Sequence, residues 1–160
     1  MKSIICLFYS IDKARLATET LLLSGFELEQ MNLIVQETIA KNKLFISDQS
    51  LKLEENKSKY PLSGLERLLG GKQPFVTPDA GRVLCAGPEA TTTVKTAISK
   101  PQKGLKFALM QFQLSDTIAE LYKNGIKEGG LLFWVRTDDL KAMEVARILE
   151  YRSGIKIVSF

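Results

Sequence analysis

Residues 3–37, SIICLFYSIDKARLATETLLLSGFELEQMNLIVQE, decide the fold, and residues 130–160, GLLFWVRTDDLKAMEVARILEYRSGIKIVSF, repeat their plan. Each segment is an apolar run, a helical stretch of about four turns, a glycine and a second apolar run. Two strand-helix-strand units in one chain predict a single sheet carrying both helices on one face. The expected architecture is α+β: a ferredoxin-like sheet interrupted by a long middle insertion, residues 38–128, with the whole chain 1–160 forming one domain.

In the first unit Ile4 to Tyr9 form a continuous apolar run, which suits a central strand buried on both faces. Ser10 or Asp12 can cap the following helix, since either side-chain oxygen accepts an orphan amide hydrogen bond. Ala14, Ala17, Leu21 and Leu22 then recur at helical spacing, Gly25 ends the helix, and Met31 to Val35 supply the return strand. The second unit runs from Leu131–Val135 through a cap at Thr137 or Asp138 and a stripe of Met143, Ala146 and Leu149. Gly154 closes that helix, and Ile155, Ile157 and Val158 lead to Phe160. Strands are expected near 3–9, 31–36, 82–87, 131–136 and 155–160, and helices near 12–24 and 139–152.

The middle segment has a different texture. Lys52 to Lys59 read as a solvated loop or helix end, and Leu62, Leu65, Leu68 and Leu69 as a short amphipathic helix stopped by Gly70 and Gly71. Pro74 and Pro78 punctuate the path to a strand at Arg82–Ala86, which Gly87 and Pro88 end. Thr91 to Gly104, with three consecutive threonines and Pro101, reads as a mobile loop. A helical region follows from Leu105 to Lys127, broken near Leu114 and capped again by Ser115 or Asp116. Because the apolar strand runs place large residues on both sides of the sheet, the second face must be covered by this middle segment or by a second copy of the chain.

Composition sets further bounds. With 160 residues, 45% hydrophobic and 25% charged, the chain is long enough for a real core and too mixed for extended disorder. No apolar run approaches the roughly 20 residues of a spanning helix. Asp12, Lys13 and Arg15 interrupt any leader that Lys2 and Ile4–Tyr9 could begin, so the expected location is the cytoplasm. Cys6 and Cys85 fall inside apolar runs, where an unpaired cysteine acts as a small buried hydrophobe, consistent with a reducing compartment. The net charge of +4 is dispersed, with no basic block.

The chain has no histidine. That removes Ser-His-Asp and Cys-His nucleophile systems, imidazole acid-base chemistry and the usual zinc ligand sets, and two cysteines cannot form a four-thiolate site. No metal and no cofactor are expected. Asp138 and Asp139 are better suited to a helix start, opposing its positive dipole end, than to magnesium. Gly70, Gly71 and Lys72 do not complete a phosphate loop, because Glu66 occupies the required glycine position and Gln73 the hydroxyl position. Gly129 and Gly130 read as the turn into the strand at Leu131, with close backbone approach to a ligand as the alternative. Phe133 and Trp134 point to opposite faces of a strand, so at most one could join an aromatic platform for bases.

From Leu114 to Phe160 the chain resembles the C-terminal part of the bacterial general stress proteins of the YflT-like group. The resemblance rests on Ile118, Ala119, Leu121, Tyr122, Gly125, Gly129, Gly130, Leu132, Val135, Ala146, Leu149 and Gly154, and extends more weakly to residues 3–37 and to Gly81–Pro88, about half of the chain in all. It implies a small α+β fold and a link to stress, and it supplies no catalytic residue. Members of that group often carry a glycine-rich, membrane-compatible middle, whereas this chain is polar, threonine-rich and proline-containing there. The departure argues against membrane association.

The leading functional expectation is a non-enzymatic, stress-associated binding or assembly domain, self-associating as a homodimer through its two-faced apolar sheet. The alternative is an enzyme or small-molecule sensor that holds an anionic ligand between sheet and middle segment through Arg82, Tyr122 and Lys72. Arg82 and Tyr122 lie in the family-like stretches beside glycines that permit close approach. A weak association of nucleic acid with the dispersed positive charge ranks last.

Overall fold

The computed structural model describes residues 1–43, 64–100 and 104–160; the charged run Lys52–Lys59 and Leu62 lie outside the described residues. Six strands form one antiparallel sheet: β1 (Lys2–Phe8), β2 (Met31–Gln36), β3 (Phe75–Thr77), β4 (Gly81–Ala86), β5 (Leu131–Thr137) and β6 (Ile155–Ser159), in the order β3-β4-β2-β5-β1-β6. Seven α-helices accompany them among the described residues: α1 (Ile11–Leu23), α2 (Glu37–Lys43), α3 (Gly64–Leu69), α4 (Pro88–Ser99), α5 (Gly104–Met110), α6 (Asp116–Lys127) and α7 (Ala142–Tyr151). The fold is mixed α+β.

The terminal apolar runs meet at the centre of the sheet. β1 pairs with β5 in a register that sets Ile4 against Val135, Cys6 against Phe133 and Phe8 against Leu131 on one face, with Ile5 against Trp134 and Leu7 against Leu132 on the other. Every one of these residues is buried, because helices cover both faces. Ala14, Ala17 and Leu21 of α1, Ala142, Val145 and Leu149 of α7, and Leu65 and Leu69 of α3 pack on the first face. Ala90, Val94 and Ala97 of α4, Leu105, Ala108 and Leu109 of α5, and Ala119, Tyr122 and Ile126 of α6 pack on the second. Each fully buried large side chain contributes about 1.5–3 kcal/mol relative to exposure. The middle segment thus covers the second face, and that face offers no reason for a second copy to bind there.

Several local expectations are corrected. The stretch read as a mobile loop, Thr91–Gly104, is helical through Ser99. Threonine is a poor helix former, but Thr91, Thr92, Thr93 and Thr96 each donate to the carbonyl four residues back, at 2.8–3.0 Å. Ala90, Val94 and Ala97 then face the sheet and supply the packing that propensity lacks. The strand at Arg82–Ala86 is one arm of a hairpin whose other arm is β3, with Phe75 against Val83 and Thr77 against Gly81.

In the second unit α7 begins at Ala142 rather than near residue 139; Asp138 Oδ1 accepts from Lys141 N at 2.9 Å in the turn before it. Met143, expected in the buried stripe, is 65% exposed, and Val145 takes the core position. Nor does Gly154 supply the left-handed residue after α7: Ser153 does, with φ 70°. Gly154 is needed for space, since a Cβ there would sit 2.9 Å from Cys6 Sγ. In the first unit Ser10 caps α1, accepting from Lys13 N at 3.3 Å, and Gly25 follows the helix with φ 95°. Ser115 caps α6, accepting from Ile118 N.

β6 is an edge strand with a bulge. Ile5 pairs with Val158 and Leu7 with Ile155, leaving an extra residue on β6, and Lys156 takes φ 53° to absorb it. The bulge turns the Lys156 carbonyl toward α6, where the Tyr122 hydroxyl donates to it.

Candidate functional site

The three residues expected to hold an anion do not converge. Arg82 projects from β4 and donates from Nε and an Nη to the two carboxylate oxygens of Glu37, both at 3.2 Å. This hydrogen bond from Arg82 is the main reason the Glu37 carboxyl lies below its usual range. Tyr122 is fully buried, tied to β6, and its phenol is held far above the ordinary range by that burial. Four strand spacings separate β4 from β6, about 19 Å. Lys72 is an exposed residue just after α3. No small anion reaches both Arg82 and the Tyr122 hydroxyl.

A polar cluster that sequence reasoning missed lies on the second sheet face, under the start of α4. Asn32 of β2 is 1% exposed, and its Oδ1 accepts from Glu89 N at 2.9 Å and Ala90 N at 3.0 Å. A side chain from another strand thus caps α4, whose own cap position is Gly87. Gly87 is required there: its φ is 97°, and a Cβ would fall 2.3 Å from Asn32 Oδ1. Glu89 completes the cluster, accepting from Trp134 Nε1 at 3.1 Å and Arg136 at 3.0 Å, with the Ser3 hydroxyl at 3.4 Å. With the Asn32 oxygen and both Glu89 oxygens engaged, this arrangement positions α4 over the sheet. The signal for it was slight, a lone Asn within the apolar run Met31–Val35.

A hollow lies at the opposite end of the sheet. Tyr9, Ser10, Ile11 and Asp12 at the β1–α1 corner, Ile39 of α2 and Gly129 after α6 enclose about 310 Å³. Gly130 makes room for the corner, because a Cβ there would stand 3.2 Å from the Tyr9 ring. The Tyr9 hydroxyl donates to Glu128 Oε2 at 3.4 Å, and burial followed by the Glu128 charge raises its pKa. Gly129 and Gly130 do form the turn into β5, and Gly129 also lines this hollow. The one carboxylate in the lining, Asp12, is paired with Arg15 at 2.9 Å, which suits a neutral polar group better than an ion.

Cys6 and Cys85 are both buried and free. They belong to opposite faces of the sheet, on strands three spacings apart, about 14 Å, beyond the roughly 7 Å Cα separation a disulfide spans. Phe133 and Trp134 are buried as well, so neither ring is open for base stacking. Among the described residues no group of three His, Cys, Asp or Glu side chains could hold a metal ion, and no helix is long and apolar enough to cross a membrane.

Exposed large apolar residues collect elsewhere. Of the ten among the described residues, five lie on α1 or in α7 and the turn before it: Leu16, Leu23, Leu140, Met143 and Tyr151. The two helices lie side by side and antiparallel, with Lys13 bonded to Ser153, Arg152 to Thr20, and Lys141 over the Phe26 ring. Comparison of the chain with protein-family models, curated proteins and solved structures finds no match.

Proposed function

We propose that this chain is a non-enzymatic, stress-associated assembly domain of the cytoplasm, built on a ferredoxin-like sheet and active as a homodimer. The order β2-β5-β1-β6, with α1 and α7 on one face, supports the ferredoxin-like reading of the two terminal units. The stress association rests on the YflT-like resemblance of residues 114–160. The absence of histidine supports a role without imidazole acid-base catalysis.

A single observation carries the assembly reading: half of the large apolar side chains left in water among the described residues lie on the α1–α7 layer, while both sheet faces are covered. The motive for self-association therefore moves from the sheet, where the sequence placed it, to the helices. Light scattering coupled to gel filtration over a concentration series tests this. The expected mass rises from 17.9 kDa toward twice that value as concentration increases. A constant monomer mass at the highest soluble concentration would refute the reading.

A second reading, small-ligand binding, is favoured by the hollow at Tyr9. Its volume is at the lower end of the range for ligand pockets, about 300–1,000 Å³. A thermal-shift screen with polar metabolites tests it, since a ligand at about one hundred times its dissociation constant stabilises by roughly 2.7 kcal/mol. The expected hits lose their effect in Tyr9→Ala, and a hit unaffected by that change excludes this hollow.

A further inference from the structure

The outer face of α7 specifies how two copies would meet. At 100° per residue, Met143, Glu144, Arg147, Glu150 and Tyr151 fall within one stripe of α7 about 120° wide, opposite the buried Ala142, Val145 and Leu149, and Leu140 sits in the turn just before the helix. The stripe residues and Leu140 are all exposed. Leu140, at 94%, and Tyr151, at 77%, stand at the two ends of the segment.

Charges along the same segment alternate in sign every three residues: Lys141, Glu144, Arg147, Glu150. None of the four is in an ion pair among the described residues; Arg147 meets Met143 Sδ at 3.5 Å, and Lys141 lies 6.0 Å from the centre of the Phe26 ring.

We propose that α7 packs antiparallel against α7 of a second copy, about a twofold axis passing between Val145 and Ala146. This rests on the assembly reading above and names its surface. In that register Glu144 stands opposite Arg147 of the facing helix, and Tyr151 faces the turn at Leu140, and symmetry makes each pairing twice; Lys141, turned toward Phe26, takes no part. Sliding the helices by one three-residue step sets Arg147 against itself and Glu144 against Glu150. The opposite slide sets Glu144 against itself. The charges thus select one register by repelling its neighbours, while the apolar ends supply the attraction.

The sheet edges offer no competing join. β6 is interrupted by the Lys156 bulge, whose carbonyl is already bonded to Tyr122, and β3 is only three residues long between Pro74 and Pro78. A single helix pair buries less than a standard interface of about 1,200–2,000 Å², so the dimer belongs to the weak, concentration-dependent class.

Charge exchange tests the register. Arg147→Glu sets carboxylates against Glu144 of the facing helix and should raise the dimer dissociation constant about tenfold or more in sedimentation equilibrium, with unchanged thermal stability because the site is exposed. Glu144→Arg should do the same. The double exchange E144R/R147E restores opposite charges across the axis and should recover wild-type association. A dimer indifferent to both single changes overturns the α7 surface while leaving assembly standing. Weakening without rescue overturns the register, and a wild-type monomer at every concentration overturns both proposals.

Discussion

Asn32→Ala removes one oxygen and, with it, the acceptor for two amides at the start of α4. Ala90 N lies in the buried interior and has no water to turn to, whereas Glu89 N is partly accessible. An unsatisfied buried donor costs about 1–3 kcal/mol and a lost helix cap about 0.5–2 kcal/mol. Since both descriptions count the same bonds, the expected loss is about 2–3 kcal/mol, or roughly 4–12 °C in Tm for a chain of this length.

Urea unfolding followed by Trp134 emission is the assay, because the single tryptophan donates to Glu89 in the same cluster. A fall in the denaturant slope together with the midpoint would mean that α4 already frays in the native state. Gly87→Ala should destabilise on its own through its left-handed φ and the clash with Asn32. In the Asn32→Ala background part of that clash disappears, so the double variant should lose less than the sum of the singles. A loss below about 0.5 kcal/mol for Asn32→Ala would refute the cross-strand cap, on the scale of caps generally.

Tyr122→Phe should cost about 1 kcal/mol in equilibrium unfolding by leaving the Lys156 carbonyl unpaired. Burial raises the phenol pKa, so its contribution is present below the ordinary tyrosine pKa near 10 and lost as pH rises toward the folded value. The variant should therefore show a flatter alkaline limb, and a limb as steep as that of the wild type would contradict this role.

Arg82 lowers the Glu37 pKa, so that pair contributes above the ordinary carboxylate pKa and is lost as pH falls through the lower folded value. Glu37→Gln should flatten Tm against pH below about pH 5, and an unchanged acid slope would show the pair to be inert. Burial raises both thiol pKa values, so Cys6 and Cys85 should stay unmodified by a thiol reagent until the protein unfolds. Prompt labelling of either under native conditions would be at odds with the packing.

The terminal units were legible because their signals are local and repeated. A continuous apolar run such as Ile4–Tyr9 suits burial on both faces, and Ser10 and Gly25 mark the bounds of α1 by hydrogen-bonding capacity and backbone freedom alone. The middle segment was less legible because its decisive contacts come from distant strands. Thr91–Ser99 is helical through a cap supplied by Asn32 and a sheet beneath Val94, neither of which lies within the window that periodicity samples. Met143 and Val145 show the same limit at finer scale: both are apolar, and only the placement of α7 against α1 decides which faces the core. Among the candidate site residues, Arg82 and Tyr122 sit near glycines in sequence, yet the strand order sends them to opposite sides of the sheet.

By itself the sequence determined the element types of both terminal units, the exclusion of histidine chemistry and the need for cover on two faces of the sheet. These follow from side-chain periodicity and composition, which are properties of neighbouring residues. The tertiary structure decided what provides that cover, which polar groups meet beneath α4, and which apolar residues remain in water on α7. Those outcomes depend on pairings between segments as much as about 155 residues apart, where register and packing direction, rather than local preference, set the contacts.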